Sequence, residues 1–322
     1  MPDLPILLVT VPADRLPDDR LAVIRDAAAG YDVQRGATDA PLEGVEIVLG
    51  RIAPERLAEA PELRWIQSWS AGVDWLLEPD LPADVPAGLR VTSASGVHAV
   101  PIAEHVFAML LALARGLPQA VAAQADARWS GDDEVERFEL EGRRMVLLGL
   151  GEIGARVARI AGAFGMLVTA VRHHPDEGGA PGVARVVGTD ALLDVLPSAD
   201  VLVVTVPLTD DTRGMVGAGA IAALPRHAVV VNVGRGEVVD QDALASALAA
   251  GRLGGAALDV FQHEPLPADS PLWGLDRVVL TPHTAGDTPH YADRALAIFL
   301  DNLDRYRRDR PLRHAVDLGA GY

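Results

Sequence analysis

The chain contains no cysteine and no lysine. Without cysteine there are no disulfides, thiolate metal sites, cysteine nucleophiles or thiol redox steps, and a cytoplasmic setting is the expectation. Without lysine, all 28 fixed side-chain cations are arginines; against 45 carboxylates they leave a formal charge of −17. So acidic a field argues against nonspecific association with nucleic acid or an anionic membrane, while leaving room for a local cationic pocket that takes a small anion. Long hydrophobic runs are also missing. The strongest, Val106 to Ala114, is far too short to span a bilayer. The opening residues carry no basic region ahead of an apolar stretch, so no secretory leader is expected. The histidines are scattered without H-E-x-x-H spacing, and no metal is expected.

What remains is a chain of 322 residues with 49% apolar and 23% charged residues. At about 150 residues per domain, this composition predicts two well-packed domains. In the first hundred residues, β-rich runs at Pro5 to Val11, Tyr31 to Gln34, Val45 to Gly50, Leu63 to Ser68 and Leu89 to Ser93 alternate with helical stretches such as Leu21 to Ala29. That order predicts a small parallel α/β unit. Pro101 to Arg115 reads as a long helix, too apolar for an ordinary surface helix, and is expected to be buried between domains or subunits. Pro118 to Leu140 breaks the pattern and reads as a connecting arm, with Trp129 expected to pack. Trp69, Trp75 and Trp273 are read as packing residues that can also shape an apolar pocket.

The second unit opens with a strand, Arg144 to Leu148, followed by Gly149-Leu150-Gly151-Glu152-Ile153-Gly154 and a helix to about Ala163. Further strands are expected at Leu167 to Val171, Val201 to Val206, Ala228 to Val233, Ala256 to Val260 and Val278 to Leu280. Helices are expected near Ala191 to Leu196, Ala218 to Leu224 and Gln241 to Ala250. Such Val-rich runs fit a parallel sheet covered on both faces. A G-x-G-x-x-G between strand and helix fits a dinucleotide site: Gly149 for the tight turn, Gly151 for approach of the pyrophosphate, and Gly154 for helix packing. No GK[ST] follows, which disfavours a phosphate loop. The next strand ends in Val171-Arg172-His173-His174 where NAD sites place an acid. Arg172, assisted by His173, favours NADP(H), with NAD(H) kept as the alternative.

Three further segments each end an apolar strand: Asn232 to Asp240, which contains Val233, Gly234 and Arg235; Ala257 to Pro265, which contains Asp259 and Glu264; and Thr281 to Gly286, which contains His283 and Ala285. Ligands collect beyond the carboxyl ends of such strands. An arginine, a carboxylate and a histidine are therefore expected at one sheet edge. The glycines on either side of Arg235 read as positions of close ligand approach.

With these motifs in this order, the chain resembles the D-isomer-specific 2-hydroxyacid dehydrogenases over nearly its whole length. The resemblance implies a Rossmann-type coenzyme domain, residues 99–284, inserted into a flavodoxin-like α/β substrate domain, residues 1–98 and 285–322. It also implies a homodimer to which the Pro101 to Leu140 region contributes. It gives Arg235 the substrate carboxylate, His283 the proton transfer to and from the 2-carbon oxygen, and Glu264 the orientation of that histidine. A histidine suits the task because its reference pKa lies near neutrality. Cofactor contacts are implied for residues 149–154, Arg172, His173, Val206, Pro207, Thr212, Val233, Gly234, Asp259, His283, Ala285 and Gly286. Substrate contacts are implied for Ala71 and Gly72, in the loop Ser70 to Asp74, and for Arg235 and His283. Ser93 departs from the asparagine common in the family. The expected activity is NAD(P)-dependent interconversion of a small 2-keto acid and its D-2-hydroxy acid. The alternatives are a glyoxylate/hydroxypyruvate reductase with the same chemistry, or a nicotinamide-dependent regulatory binding protein.

Overall fold

The computed structural model describes residues 4–77, 85–86, 88–129 and 136–316. The chain divides into two compact units, Met1–His98 with Thr288–Tyr322, and Ala99–Asp287.

In chain order the first unit supplies β1 (Ile6–Val9), α1 (Asp18–Ala27), β2 (Asp32–Arg35), β3 (Val45–Leu49), β4 (Trp65–Gln67), α2 (Asp74–Leu77) and β5 (Arg90–Thr92). The second supplies α3 (Ala99–Arg115), α4 (Leu117–Ala125), β6 (Arg144–Leu148), α5 (Glu152–Ala163), β7 (Leu167–Val171), β8 (Val183–Val187), α6 (Leu192–Val195) and β9 (Val201–Val204). It continues with α7 (Ala218–Ala223), β10 (Val229–Asn232), α8 (Gln241–Ala249), β11 (Gly255–Leu258) and β12 (Val278–Leu280). The chain then returns to the first unit for α9 (Tyr291–Arg307).

The first sheet is parallel with order β2-β1-β3-β4-β5, the flavodoxin-like order. Its core includes Trp65, stacked on Phe299 and Tyr306 of α9 at centroid distances of 5.5 and 5.3 Å. The apolar positions Ala295, Leu296, Phe299 and Leu303 share one buried face of α9, while Asp301–Arg305 and Asp304–Arg308 pairs line the remainder. This helix was not among the sequence expectations. Asn302, fully buried on α9, donates to Gln67 Oε1 (3.0 Å) and to the Arg313 carbonyl (3.0 Å), and accepts from the Arg313 amide (2.8 Å).

The second sheet is parallel with order β12-β11-β10-β9-β6-β7-β8. The order reverses between β6 and β9, the switch point of a Rossmann-type sheet. Alternation along the strands divides the core between two faces. Leu148, Leu202, Val204 and Val230 enter one cluster, and Leu147, Val201, Val203 and Val231 the other.

Four expectations change. The edge strand β8 was not anticipated: its burial is only partial, and Gly178, Gly179, Pro181 and Gly182 precede it. Pro118 does not break helical structure, because it falls in the first turn of α4, where a missing N–H is harmless. The break is at Gly116, with φ of 67°, where α3 and α4 meet at 71°. The excess apolar surface of α3 is buried within its own unit, against residues such as Met145, Leu147, Val157 and Ala161. Trp129 does not pack: it is 98% exposed, since the segment beyond α4 has left the core. Residues 130–135 of the expected arm lie outside the described part. Among the described residues no single helix is long and apolar enough to cross a membrane.

Removing Asn302 takes the partner from the Arg313 amide and carbonyl at a partly buried contact, and one donor from the buried Gln67 Oε1. Asn302→Ala is expected to lower the stability of the first unit by about 2 kcal/mol, read by urea denaturation. A change near zero would show that the network around Gln67 carries no weight.

Candidate active site

The glycine turn sits at the switch point. Gly149 has φ of 101°, a left-handed conformation that glycine adopts without strain, and its amide donates to the Val171 carbonyl at 2.9 Å. Thr205, just past β9, donates through Oγ1 to the carbonyls of Leu148 and Gly149, each at 3.1 Å. It clamps the end of β6 and was missed by the sequence reading. A Cβ at Gly154 would run into the Gly149 carbonyl oxygen, so this glycine exists for helix packing. A Cβ at Gly151 would meet nothing within 4 Å. That open space lies at the start of α5, whose Gly151 N-cap provides no side chain to occupy the first-turn amides. An uncapped twelve-residue helix with open space at its N-terminus fits a dinucleotide pyrophosphate.

Arg172 follows β7 directly and pairs with Glu177, with a second, longer bond of 3.4 Å to the Gly178 carbonyl. The rings of His173 and His174 meet edge-on at 4.5 Å. Beyond β9, Thr212 Oγ1 donates to the Pro207 carbonyl (2.7 Å) and accepts from the Thr209 amide (2.8 Å), closing the 207–212 loop into a tight turn.

The reactive edge lies at the carboxyl ends of the adjacent strands β10, β11 and β12. Asn232 ends β10 fully enclosed. Its Oδ1 accepts from the Gly234 amide (3.1 Å) and its Nδ2 donates to the Arg235 carbonyl (3.0 Å), folding the turn that projects Arg235. Arg235 is exposed and donates through Nη1 to the Gly234 carbonyl at 2.8 Å. Packing within the protein constrains both of its flanking glycines. A Cβ at Gly234 would lie 2.7 Å from the Val206 carbonyl oxygen, and one at Gly236 would enter the Phe261 backbone. Close packing of loop on loop requires them.

Glu264, beyond β11, accepts from the Phe261 amide on Oε1 (3.0 Å) and from His283 Nδ1 on Oε2 (2.8 Å). One oxygen fixes the carboxylate to its own loop, and the other takes one face of the imidazole. The Nε2 of His283 is the nitrogen left for chemistry, and the ring is half exposed. His283 has φ of 55°, a strained conformation for a residue with a Cβ. Asp259 maintains it. This buried carboxylate accepts from Thr281 Oγ1 (2.6 Å) and the Thr284 amide (2.9 Å) on Oδ1, and from the Ala285 amide (3.0 Å) on Oδ2. Its carbonyl accepts from the His283 amide at 2.9 Å. His105 on α3 joins from below, with Nε2 2.9 Å from Thr281 Oγ1. Neither His105 nor Thr281 was given a role from sequence, although Thr281 opens the segment that carries His283 and His105 lies in the long helix expected at Pro101 to Arg115.

In the first unit, the loop holding Ala71 and Gly72 follows β4. Ser70 Oγ donates to the Gly72 carbonyl (2.8 Å), and the Ala94 amide to the Ser70 carbonyl (2.9 Å). Trp69 is buried in that unit's core, Trp75 lies beside the Arg51 guanidinium, and Trp273 is exposed with its indole N–H on the Pro267 carbonyl. The three do not form one apolar wall within either unit.

Two of the three fingerprint glycines separate packing from binding. Gly154→Ala is expected to destabilise the second unit by about 1–3 kcal/mol, although alanine ordinarily favours a helix. Gly151→Ala is expected to leave thermal unfolding unchanged and to weaken dinucleotide binding. Equal stability of both variants would refute the packing role of Gly154.

Comparison with known proteins agrees with this geometry. The family model described as "D-isomer specific 2-hydroxyacid dehydrogenase, NAD binding domain" matches residues 107–285. A glyoxylate reductase of Korarchaeum cryptofilum is 34% identical over 272 residues, covering 82% of this chain and 79% of that protein. A D-3-phosphoglycerate dehydrogenase of Archaeoglobus fulgidus is also 34% identical over 272 residues, but this chain spans only 50% of its length. A crystal structure of a D-isomer specific 2-hydroxyacid dehydrogenase from Xanthobacter autotrophicus, in complex with NADPH and MES, superposes with a TM-score of 0.81 at 32% identity, over 99% of this chain and all of that one. The chain belongs to the D-isomer-specific 2-hydroxyacid dehydrogenase family.

Proposed function

We propose that this protein reduces small 2-keto acids to D-2-hydroxy acids, with NADP(H) preferred to NAD(H). The observation that carries the proposal is the 2.8 Å contact between His283 Nδ1 and Glu264, on the strand-end loop next to the one that projects Arg235. The 149–154 turn would hold a nicotinamide dinucleotide, which would supply the hydride for the carbonyl carbon. Arg235 receives the substrate carboxylate on its planar donor fork and so fixes the direction of the carbonyl. His283 donates the Nε2 proton to the carbonyl oxygen as negative charge develops there, and takes it back in the reverse direction. Glu264 holds the ring through Nδ1 so that Nε2 is the nitrogen presented. Asp259 acts on the same step from beneath by fixing the loop that carries His283.

The preference for NADP(H) rests on Arg172. It follows the strand adjacent to the glycine turn, and no carboxylate stands at positions 172–174. A 2′-phosphate on this arginine replaces its pair with Glu177 by a more highly charged one. The NADPH held by the Xanthobacter relative supports this reading, and the name of the Korarchaeum relative makes glyoxylate the first substrate to try.

The test is a matrix of initial rates, NADPH or NADH against glyoxylate, hydroxypyruvate, pyruvate and bulkier 2-keto acids. Saturable oxidation of NADPH is expected, with the D-2-hydroxy acid as product. Folded protein that binds a dinucleotide but turns over none of the panel would favour the regulatory reading instead. In the active enzyme, His283→Gln is expected to lower kcat about 100-fold or more. Arg235→Gln is expected to lower kcat/KM for the keto acid about 100-fold. Arg172→Ala is expected to raise KM for NADPH about tenfold with little change for NADH; an equal effect on both would refute the assignment of Arg172 to the 2′-phosphate.

A further inference from the structure

The second unit carries a cavity of about 420 Å³ at the opposite edge of its sheet from the reactive loops. Arg143, Asp200, Arg226, His227 and Arg277, which line it, all lie just before a strand: β6, β9, β10, β10 and β12 in turn. The strands are parallel, so these residues gather at the amino-terminal edge, whereas Arg235, Glu264 and His283 follow the carboxyl ends.

Three arginines in one concavity are unexpected in a chain with a formal charge of −17 and no lysine. Their arrangement is specific. Each guanidinium is tethered on its Nε edge to a main-chain carbonyl: Arg143 to Glu139 at 3.3 Å, Arg226 to Gly251 at 2.8 Å, and Arg277 to Gly254. Arg143 also lies over the Phe138 ring, 5.5 Å from its centroid. One Nη group of Arg277 reaches the Glu136 carbonyl at 3.3 Å, and one of Arg143 reaches Asp200 at 3.4 Å. Among the described residues, both Nη groups of Arg226 and one each of Arg143 and Arg277 have no hydrogen-bond partner. A tethered fork has already lost much of its rotamer freedom, so little more is lost when it binds.

The acids nearby do not use up this charge. Asp200 is mostly buried and already engaged: it accepts from the Arg144 amide (2.7 Å) and faces His227 Nε2 (2.7 Å), with Arg144 Nε at 3.6 Å. Burial opposes its ionisation, but the Arg144 amide, His227 and the two guanidinium groups prevail and hold its carboxyl below the usual carboxylate range. Glu136 is exposed and stands 4.0 Å from Arg277, a pairing of little strength in water.

We propose that this cavity is a binding site for a small molecule with two or more negative charges, a polycarboxylate or a phosphate compound. Forked N–H pairs match carboxylate and phosphate oxygens alike. The cavity is large enough for such a ligand, and its place at the far sheet edge separates it from the dinucleotide turn. This assignment does not depend on the proposed reaction.

Calorimetric titration of the full chain with inorganic pyrophosphate and, separately, with citrate tests it, each repeated with NADP present in excess. The expected result is saturable binding of at least one probe at millimolar concentration or below, retained with NADP present. Arg226→Gln is expected to weaken it about tenfold, and Arg235→Gln to leave it unchanged. The probe that binds more tightly identifies the phosphate or the carboxylate class. Arg226 lies outside the catalytic machinery, and among the described residues its Nε bond is the only hydrogen bond its removal breaks, so folding of the variant is checked by its thermal transition. Absence of saturable binding by either probe overturns the proposal. So does binding that NADP displaces, or that Arg235→Gln abolishes while Arg226→Gln leaves it intact.

Discussion

Asp259 is a carboxylate only 1% exposed, and a buried charge is tolerated only where hydrogen bonds replace the lost water. Its hydrogen-bond donors among the described residues come from one short stretch of chain, the Thr281 hydroxyl and the Thr284 and Ala285 amides, with His105 Nε2 of α3 3.8 Å away. The need to satisfy the carboxylate is therefore also the force that shapes the 281–285 loop. Within that loop His283 holds a left-handed backbone conformation it would not choose alone. The ring then meets Glu264, whose other oxygen is fixed by the Phe261 amide. Positioning passes from a buried charge through the 281–285 backbone to a ring nitrogen, by way of hydrogen bonds.

The sheet makes this arrangement local. β10, β11 and β12 are neighbours and all point the same way, so the loops after them fall side by side. The glycine turn belongs to β6, at the point where strand order reverses, and Thr205 from β9 clamps it. Turn and reactive loops therefore share one edge of one sheet. The arginine-lined cavity occupies the other edge, joined to the reactive loops by strands as short as Val278–Leu280.

Much of this was legible in the sequence, for identifiable reasons. Fully buried parallel strands read as unbroken Val and Leu runs, which is why β9 and β10 stood out. The glycine fingerprint and the residues Arg235, Glu264 and His283 stood out because each follows such a run. What escaped was whatever lacks a strong apolar signal or depends on partners far away in sequence. The half-exposed edge strand β8 and the mixed surface of α9 gave weak patterns. Trp129 looked like a core residue because its composition says nothing of where the chain leaves the core. The packing constraint on the glycines around Arg235 was not legible, since their neighbours, Val206 and Phe261, lie far off along the chain. His105 and Thr281 gained meaning only when α3 was found beneath the loop.

Asp259 holds the loop of His283 through the Thr284 and Ala285 amides and, with its carbonyl, the His283 amide. The most direct measurement is the turnover of Asp259→Asn with the preferred keto acid, together with its affinity for the dinucleotide. An asparagine keeps the size but loses the charge and one of the acceptor oxygens. The expected result is a fall in kcat of about 100-fold, the scale of a small misplacement of a reacting group, with dinucleotide affinity close to that of the unmodified protein. An unchanged kcat, or a loss confined to dinucleotide affinity, would contradict it.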